Sequence, residues 1–129
     1  MNLALDTAEE TQKLRVELRL KQLEKVEACH QEFLPFVRSM WPGFIAGRHH
    51  HIIAEKLEEI AQGKLKRLII NMPPRHTKSE FASYLFPAWM IGRKPDMKII
   101  QATHTTELAV NFGRKVKNLL ETEENKEIL

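Results

Sequence analysis

The chain has 129 residues, 43% hydrophobic and 29% charged, with 20 Lys and Arg against 17 Asp and Glu for a net charge of +3. That is enough for one compact domain with a modest core, and no apolar run approaches the roughly 20 residues of a membrane span. The single cysteine, Cys29, excludes an internal disulfide framework and a cysteine-rich zinc site; the acidic start lacks a secretory pattern, so an intracellular compartment is expected.

Residues 7 to 31 read as a long charged helix. Thr7 and Glu10 have capping-box spacing, Glu17 and Lys21 pair at i,i+4, and Leu14, Leu18, Val26 and Cys29 share a narrow apolar side. Such an arm is expected to pack on a neighbouring surface rather than form a core itself. Pro35, Trp41-Pro42-Gly43 and Gly47 punctuate the next stretch. A second helix is expected from Arg48 to Gln62, with Ile52, Ile53, Leu57, Ile60 and Ala61 on its buried face and Gly63 at its C-terminal cap.

Leu68–Asn71 then reads as a short strand. The spacing of Phe81, Ala82, Leu85, Ala88 and Trp89 predicts a helix over 78–91, which Pro87 should kink or end. Met97–Ala102 reads as a second strand, and residues 105–121 as a helix capped by Thr105, with fraying expected after Glu121. Two strands joined by a helix imply a parallel βαβ unit, so the expected fold class is α/β behind a helical N-terminal region. Two parallel strands cannot cover their own faces and edges, so this reads as the opening portion of a larger α/β domain.

The segment 68–79, Leu-Ile-Ile-Asn-Met-Pro-Pro-Arg-His-Thr-Lys-Ser, has the layout of a phosphate-binding loop: an apolar run, a turn, then Lys78-Ser79 opening a helix. Amides near 75–79 can form an anion nest, with the helix dipole aimed at the same place. Lys78 offers a mobile ammonium for the β and γ phosphates, Ser79 a hydroxyl for Mg²⁺, and Arg75 a planar donor fork. Both glycines of G-x-x-x-x-G-K-[ST] are missing, with Met72 and Thr77 in their places, so local pattern alone leaves an ordinary strand-to-helix turn as the other reading. Between Lys64 and Lys98 eight basic residues face two acids, Glu80 and Asp96, as an anion site or a solvated basic surface would have it.

Residues 63–80, from Gly63-Lys64-Leu65-Lys66-Arg67 through Pro73-Pro74-Arg75-His76-Thr77-Lys78-Ser79-Glu80, closely resemble the Walker A region of the large terminase subunits of tailed bacteriophages. That family commonly carries Pro-Pro-Arg-His-Gly-Lys-Ser here, so Met72 agrees with it while Thr77 departs from its glycine. The resemblance extends from about Phe33 to Leu120. It implies an ASCE-type P-loop ATPase that drives double-stranded DNA into a capsid, fused to an RNase H-like nuclease. On that basis residues 1–47 are a helical arm and linker, and 48–129 the start of the ATPase domain.

Carried over, the resemblance implies ATP and Mg²⁺ as cofactors. Lys78 and Ser79 would hold the phosphates, Ser79 the Mg²⁺, and Arg75 would act catalytically in cis on the γ phosphate; Arg75, His76 and Thr77 complete the phosphate-binding candidates, with holding the shape of the loop as the other reading of His76. Expected partners are double-stranded DNA, the portal and the small terminase subunit, in a homo-oligomeric ring on the capsid, away from any membrane and in the host cytoplasm at the assembling virion. His49 and His50, within the triplet His49-His50-His51, are candidates for the adenine side; surface or structural roles are the other reading, and a common metal is disfavoured because consecutive helical residues point apart. Gln101-Ala102-Thr103-His104-Thr105 resembles the family's element after the second strand, making Thr103 and His104 candidate coupling residues. No acid follows an apolar strand in the Walker B manner, and the nuclease carboxylates are missing. The chain by itself is therefore not expected to complete hydrolysis. The rival readings are a helicase-like ATPase acting on another nucleic acid, and a non-enzymatic interaction module with a degenerate loop.

Overall fold

Five aromatic rings from three parts of the chain organise the core. Phe33 packs edge-on to Phe81 and Phe86 at centroid distances of 5.5 and 5.6 Å, and lies 5.4 Å from Trp89 and 6.4 Å from Phe36. Such pairs add about 0.5–1.5 kcal/mol each beyond the apolar area they bury. The Trp89 indole also donates to the Cys29 carbonyl at 2.7 Å, which satisfies the one polar atom this ring takes inside.

The computed structural model describes residues 2–129, with side chains from Thr7 onward. It runs α1 (Asn2–Gln31), α2 (Phe33–Met40), α3 (Arg48–Ala61), a π-helical stretch (Glu80–Leu85), α4 (Phe86–Arg93), α5 (Thr106–Leu120) and α6 (Glu123–Ile128). The end of α1 packs on α2 and α6, while Leu14, Val16, Leu18, Leu20 and Leu23 along its length are at least half exposed. Because α1 already begins at Asn2, Thr7 and Glu10 lie inside it and form no capping box at its start. At the start of α2 the Phe33 amide donates to Glu58 of α3 at 2.7 Å, tying two helices through a carboxylate at a positive helix end. Gly63 sits at φ +76° beyond α3, the left-handed position that ends a helix most easily with glycine.

The expected α/β fold is not there. Among the described residues there is no strand and no sheet, so the parallel βαβ unit and the P-loop NTPase fold built on it are overturned. Residues 65–73 and 97–103 are irregular, and no backbone hydrogen bond joins them. The physical reason lies in what a short apolar run encodes. Leu68, Ile70 and Met72 are half-buried against the helical core while Ile69 is 85% exposed, and Ile100 is 94% exposed. Such a run records contact with a core, whereas a ladder needs a partner edge for every second N–H and C=O. The tail also differs from expectation: Thr122 caps α6 by accepting from Asn125, and Ile128 is buried, so the segment after Glu121 docks instead of fraying.

Residues 78–93 form one continuous helical run, and its middle is widened into the π form, with the Phe86 amide reaching five residues back to Phe81. Pro87 accounts for this. In α register its ring would collide with the Ser83 carbonyl, and it has no N–H to offer that oxygen. The wider turn relieves the clash, and Gln101 donates its side-chain amide to the Ser83 oxygen at 2.5 Å. Replacing Gln101 by leucine leaves this carbonyl without its donor and is expected to cost about 1–3 kcal/mol, read as a lower urea midpoint at unchanged slope.

Candidate phosphate-binding loop

The loop 73–77 carries a backbone signature that its sequence opposes. Arg75 at φ +66° and Thr77 at φ +60° are the only described non-glycine residues in the left-handed region. For a β-branched residue this conformation is a true outlier, and such residues persist where surrounding structure holds them. Thr77 occupies the position where the resembled loop has glycine, and it adopts the backbone that glycine would have adopted.

The Thr77 carbonyl accepts the first bond of the following helix, from Phe81 at 3.0 Å. The amides of Lys78, Ser79 and Glu80 are therefore the orphan donors of that helix start. A threonine in this place normally turns its hydroxyl onto one of them. Here Thr77 Oγ1 instead donates to the His76 carbonyl at 2.6 Å and meets His50 Nε2 at 2.7 Å. Among the described residues no side chain or carbonyl takes the three amides, so the positive end of the helix stays open to an anion. Arg75 and Ser79 are exposed and Lys78 is half-buried, and no carboxylate among the described residues pairs with Arg75 or Lys78. His76 is exposed, with Nδ1 3.0 Å from the Pro74 carbonyl, a contact that shapes the turn.

The two candidate adenine-side histidines part company. His50 is 6% exposed and bound to Gly47 and Thr77, so it belongs to the wall of the loop. His49 is half-buried, 6.2 Å ring to ring from His76, and lines a cleft of about 270 Å³ with Ile52, Ile53, Lys56 and residues 68–72. That cleft is apolar with one aromatic wall, the composition a planar heterocycle needs. Burial first, then the neighbouring His49 and His51 charges, hold His50 below the ordinary histidine pKa. Both causes favour the neutral imidazole over the protonated one.

Thr103 and His104 do not meet the loop. Thr103 donates to the Thr105 carbonyl at 2.6 Å, and His104 opens onto a separate groove of about 660 Å³ along α5 with Thr105, Asn111 and Arg114. Two links nevertheless join this region to the helix behind the loop: Gln101 to Ser83, and Lys115 to Glu80 at 3.0 Å. The chain matches no protein-family model, no curated protein and no solved structure.

Magnesium fits this site in one way only. No group of three His, Cys, Asp or Glu among the described residues could hold a metal ion, and the adjacent acid, Glu80, is engaged by Lys115. Ser79 supplies a single oxygen, so the ion would arrive with the phosphates and owe its remaining ligands to them and to water. The sequence left structural roles open for the histidine triplet without naming the partners of His50. Gly47 followed three residues later by His50 has the spacing of a capping box, with imidazole in place of glutamate, and that spacing was the available signal for the role of His50.

Proposed function

We propose that the loop 73–79 binds the phosphates of Mg·ATP. The observation that carries this is the pair of left-handed residues, Arg75 and Thr77, set directly before three unclaimed helix amides. Two alternations of backbone hand turn successive amides toward one point, which is how a nest receives an anion. Lys78 would bind the β and γ phosphates, Arg75 the γ phosphate, and Ser79 the magnesium carried with them, while the cleft beside His49 takes the base. This grip needs a loop and a helix start, both of which are present, and it does not draw on a sheet.

The resemblance of residues 63–80 to large terminase subunits supports a wider proposal. The chain would be the nucleotide-gripping part of a motor that moves double-stranded DNA into a capsid, assembled with its portal and small subunit. Hydrolysis needs an acid to orient water, and the one acid beside the loop, Glu80, is paired with Lys115. The chain alone would accordingly bind ATP and turn it over slowly if at all. Calorimetric titration of the chain with Mg·ATP tests the core of this: saturable one-site heat that weakens with added salt is expected, and a flat titration at millimolar nucleotide sinks the proposal.

A further inference from the structure

Thr77 is held at φ +60°, a backbone conformation that a β-branched residue disfavours, so something must hold it. What does so is a chain of three hydrogen bonds with only one possible polarity. The Gly47 amide can only donate, and it donates to His50 Nδ1 at 2.9 Å. That nitrogen is therefore unprotonated, and the ring hydrogen of the neutral imidazole sits on Nε2. Nε2 donates to Thr77 Oγ1 at 2.7 Å, and Thr77 passes its own hydrogen to the His76 carbonyl at 2.6 Å.

The ring has little room to do otherwise. Phe44 stands edge-on at 4.9 Å, Phe81 lies at 5.1 Å and His49 at 3.8 Å between centroids. Its setting also rejects a second proton. Protonated Nδ1 would face the Gly47 N–H, donor against donor, and the ring belongs to the first turn of α3, the positive end of that helix. The charged and titratable groups nearest His50 in sequence are Arg48, His49 and His51 on α3, with the exposed Glu55 more than a turn further along, and the loop brings Arg75, His76 and Lys78. Glu80, behind the loop, is engaged by Lys115, and Phe44 and Phe81 bring no charge.

We propose that His50 is the positioning residue of this loop: its neutral imidazole pins Thr77 in the left-handed conformation that a glycine would reach unaided, and a second ring proton releases it. Functionally this rests on the phosphate-loop reading; structurally it stands on the hydrogen-bond chain. His50 is buried, 6% exposed, beneath the loop. It acts through Thr77, and the need for it disappears when residue 77 is glycine.

The test is a double-mutant cycle on the full chain, His50→Ala by Thr77→Gly, with His50→Gln as the conservative variant. In the Thr77 background His50→Ala should weaken Mg·ATP binding about tenfold, and in the Thr77→Gly background by less than about threefold. His50→Gln, which keeps a donor for Thr77 and an acceptor for Gly47, should retain most of the affinity. Lowering the pH below about 6.5 should weaken the wild type more than Thr77→Gly, and this comparison cancels the nucleotide's own protonation. Equal losses in both backgrounds, or no rescue by His50→Gln, overturn the proposal. Ring nitrogen shifts from NMR read the same claim without ligand: a neutral Nε2–H tautomer at pH 7.5 is required, and an Nδ1–H tautomer overturns it even if His50→Ala fails to fold. If the wild type binds no Mg·ATP, the phosphate reading falls, and His50 is judged by the tautomer and by the same cycle on unfolding midpoints.

Discussion

Replacing Lys78 by alanine is expected to weaken Mg·ATP binding by about 10- to 100-fold while leaving the unfolding midpoint nearly unchanged. The affinity loss follows from the charge-assisted bonds an ammonium makes to phosphate oxygens, about 1.5–3 kcal/mol, where each 1.4 kcal/mol is tenfold. The indifference of stability follows from the apo structure: Lys78 is half-buried at a helix start and has no carboxylate partner among the described residues. Removing a cation from the positive end of a helix relieves a small repulsion, so the midpoint should rise slightly if it moves at all. Titration calorimetry and urea unfolding on the same preparation separate the two effects. Unchanged affinity in the variant would mean that nucleotide, where it binds, binds somewhere other than this loop.

Phe33→Ala should have the opposite signature, a loss of about 3–5 kcal/mol in stability with affinity lost only as the fold is lost. Phe33 is fully buried and makes three of the ring contacts that join α2 to the helical run behind the loop. Total stability of a domain this size is of order 5–15 kcal/mol, so the variant loses a large share of it. Urea unfolding checks the magnitude, and excess Mg·ATP should raise the midpoint of the surviving folded fraction by mass action. The comparison with Lys78→Ala divides the chain into a part that holds and a part that grips.

Much of the helical layout was legible because helices are written locally. Gly63 marked the end of α3, and Thr105 caps α5 by accepting from Leu108 as its position suggested. The turn at 74–77 and the helix start at Lys78 were legible too, since Pro73-Pro74 and the apolar spacing from Phe81 onward mark them locally. The strands were misread because Leu68, Ile70 and Met72 announce a covered side without naming a neighbour, and pairing is a non-local property. The segment 123–128 was misread because five of its six side chains are polar or charged and hide the single buried isoleucine, Ile128. The histidine triplet left structural, surface and adenine-side roles open, and the contact between His50 and Thr77, 27 residues apart, is what gives His50 a structural one.

The π-helical stretch gives the loop an azimuth. An α-helix turns each residue by about 100°, so adding or removing one residue in a turn rotates everything before it by that amount relative to everything after. With Pro87 forcing the wide turn at 80–85, Lys78 and Ser79 face a direction that a uniform α-helix from the same α4 would not give them. The aim of the proposed phosphate grip is thus set by a residue with no polar hydrogen, buried nine positions downstream of the lysine it points.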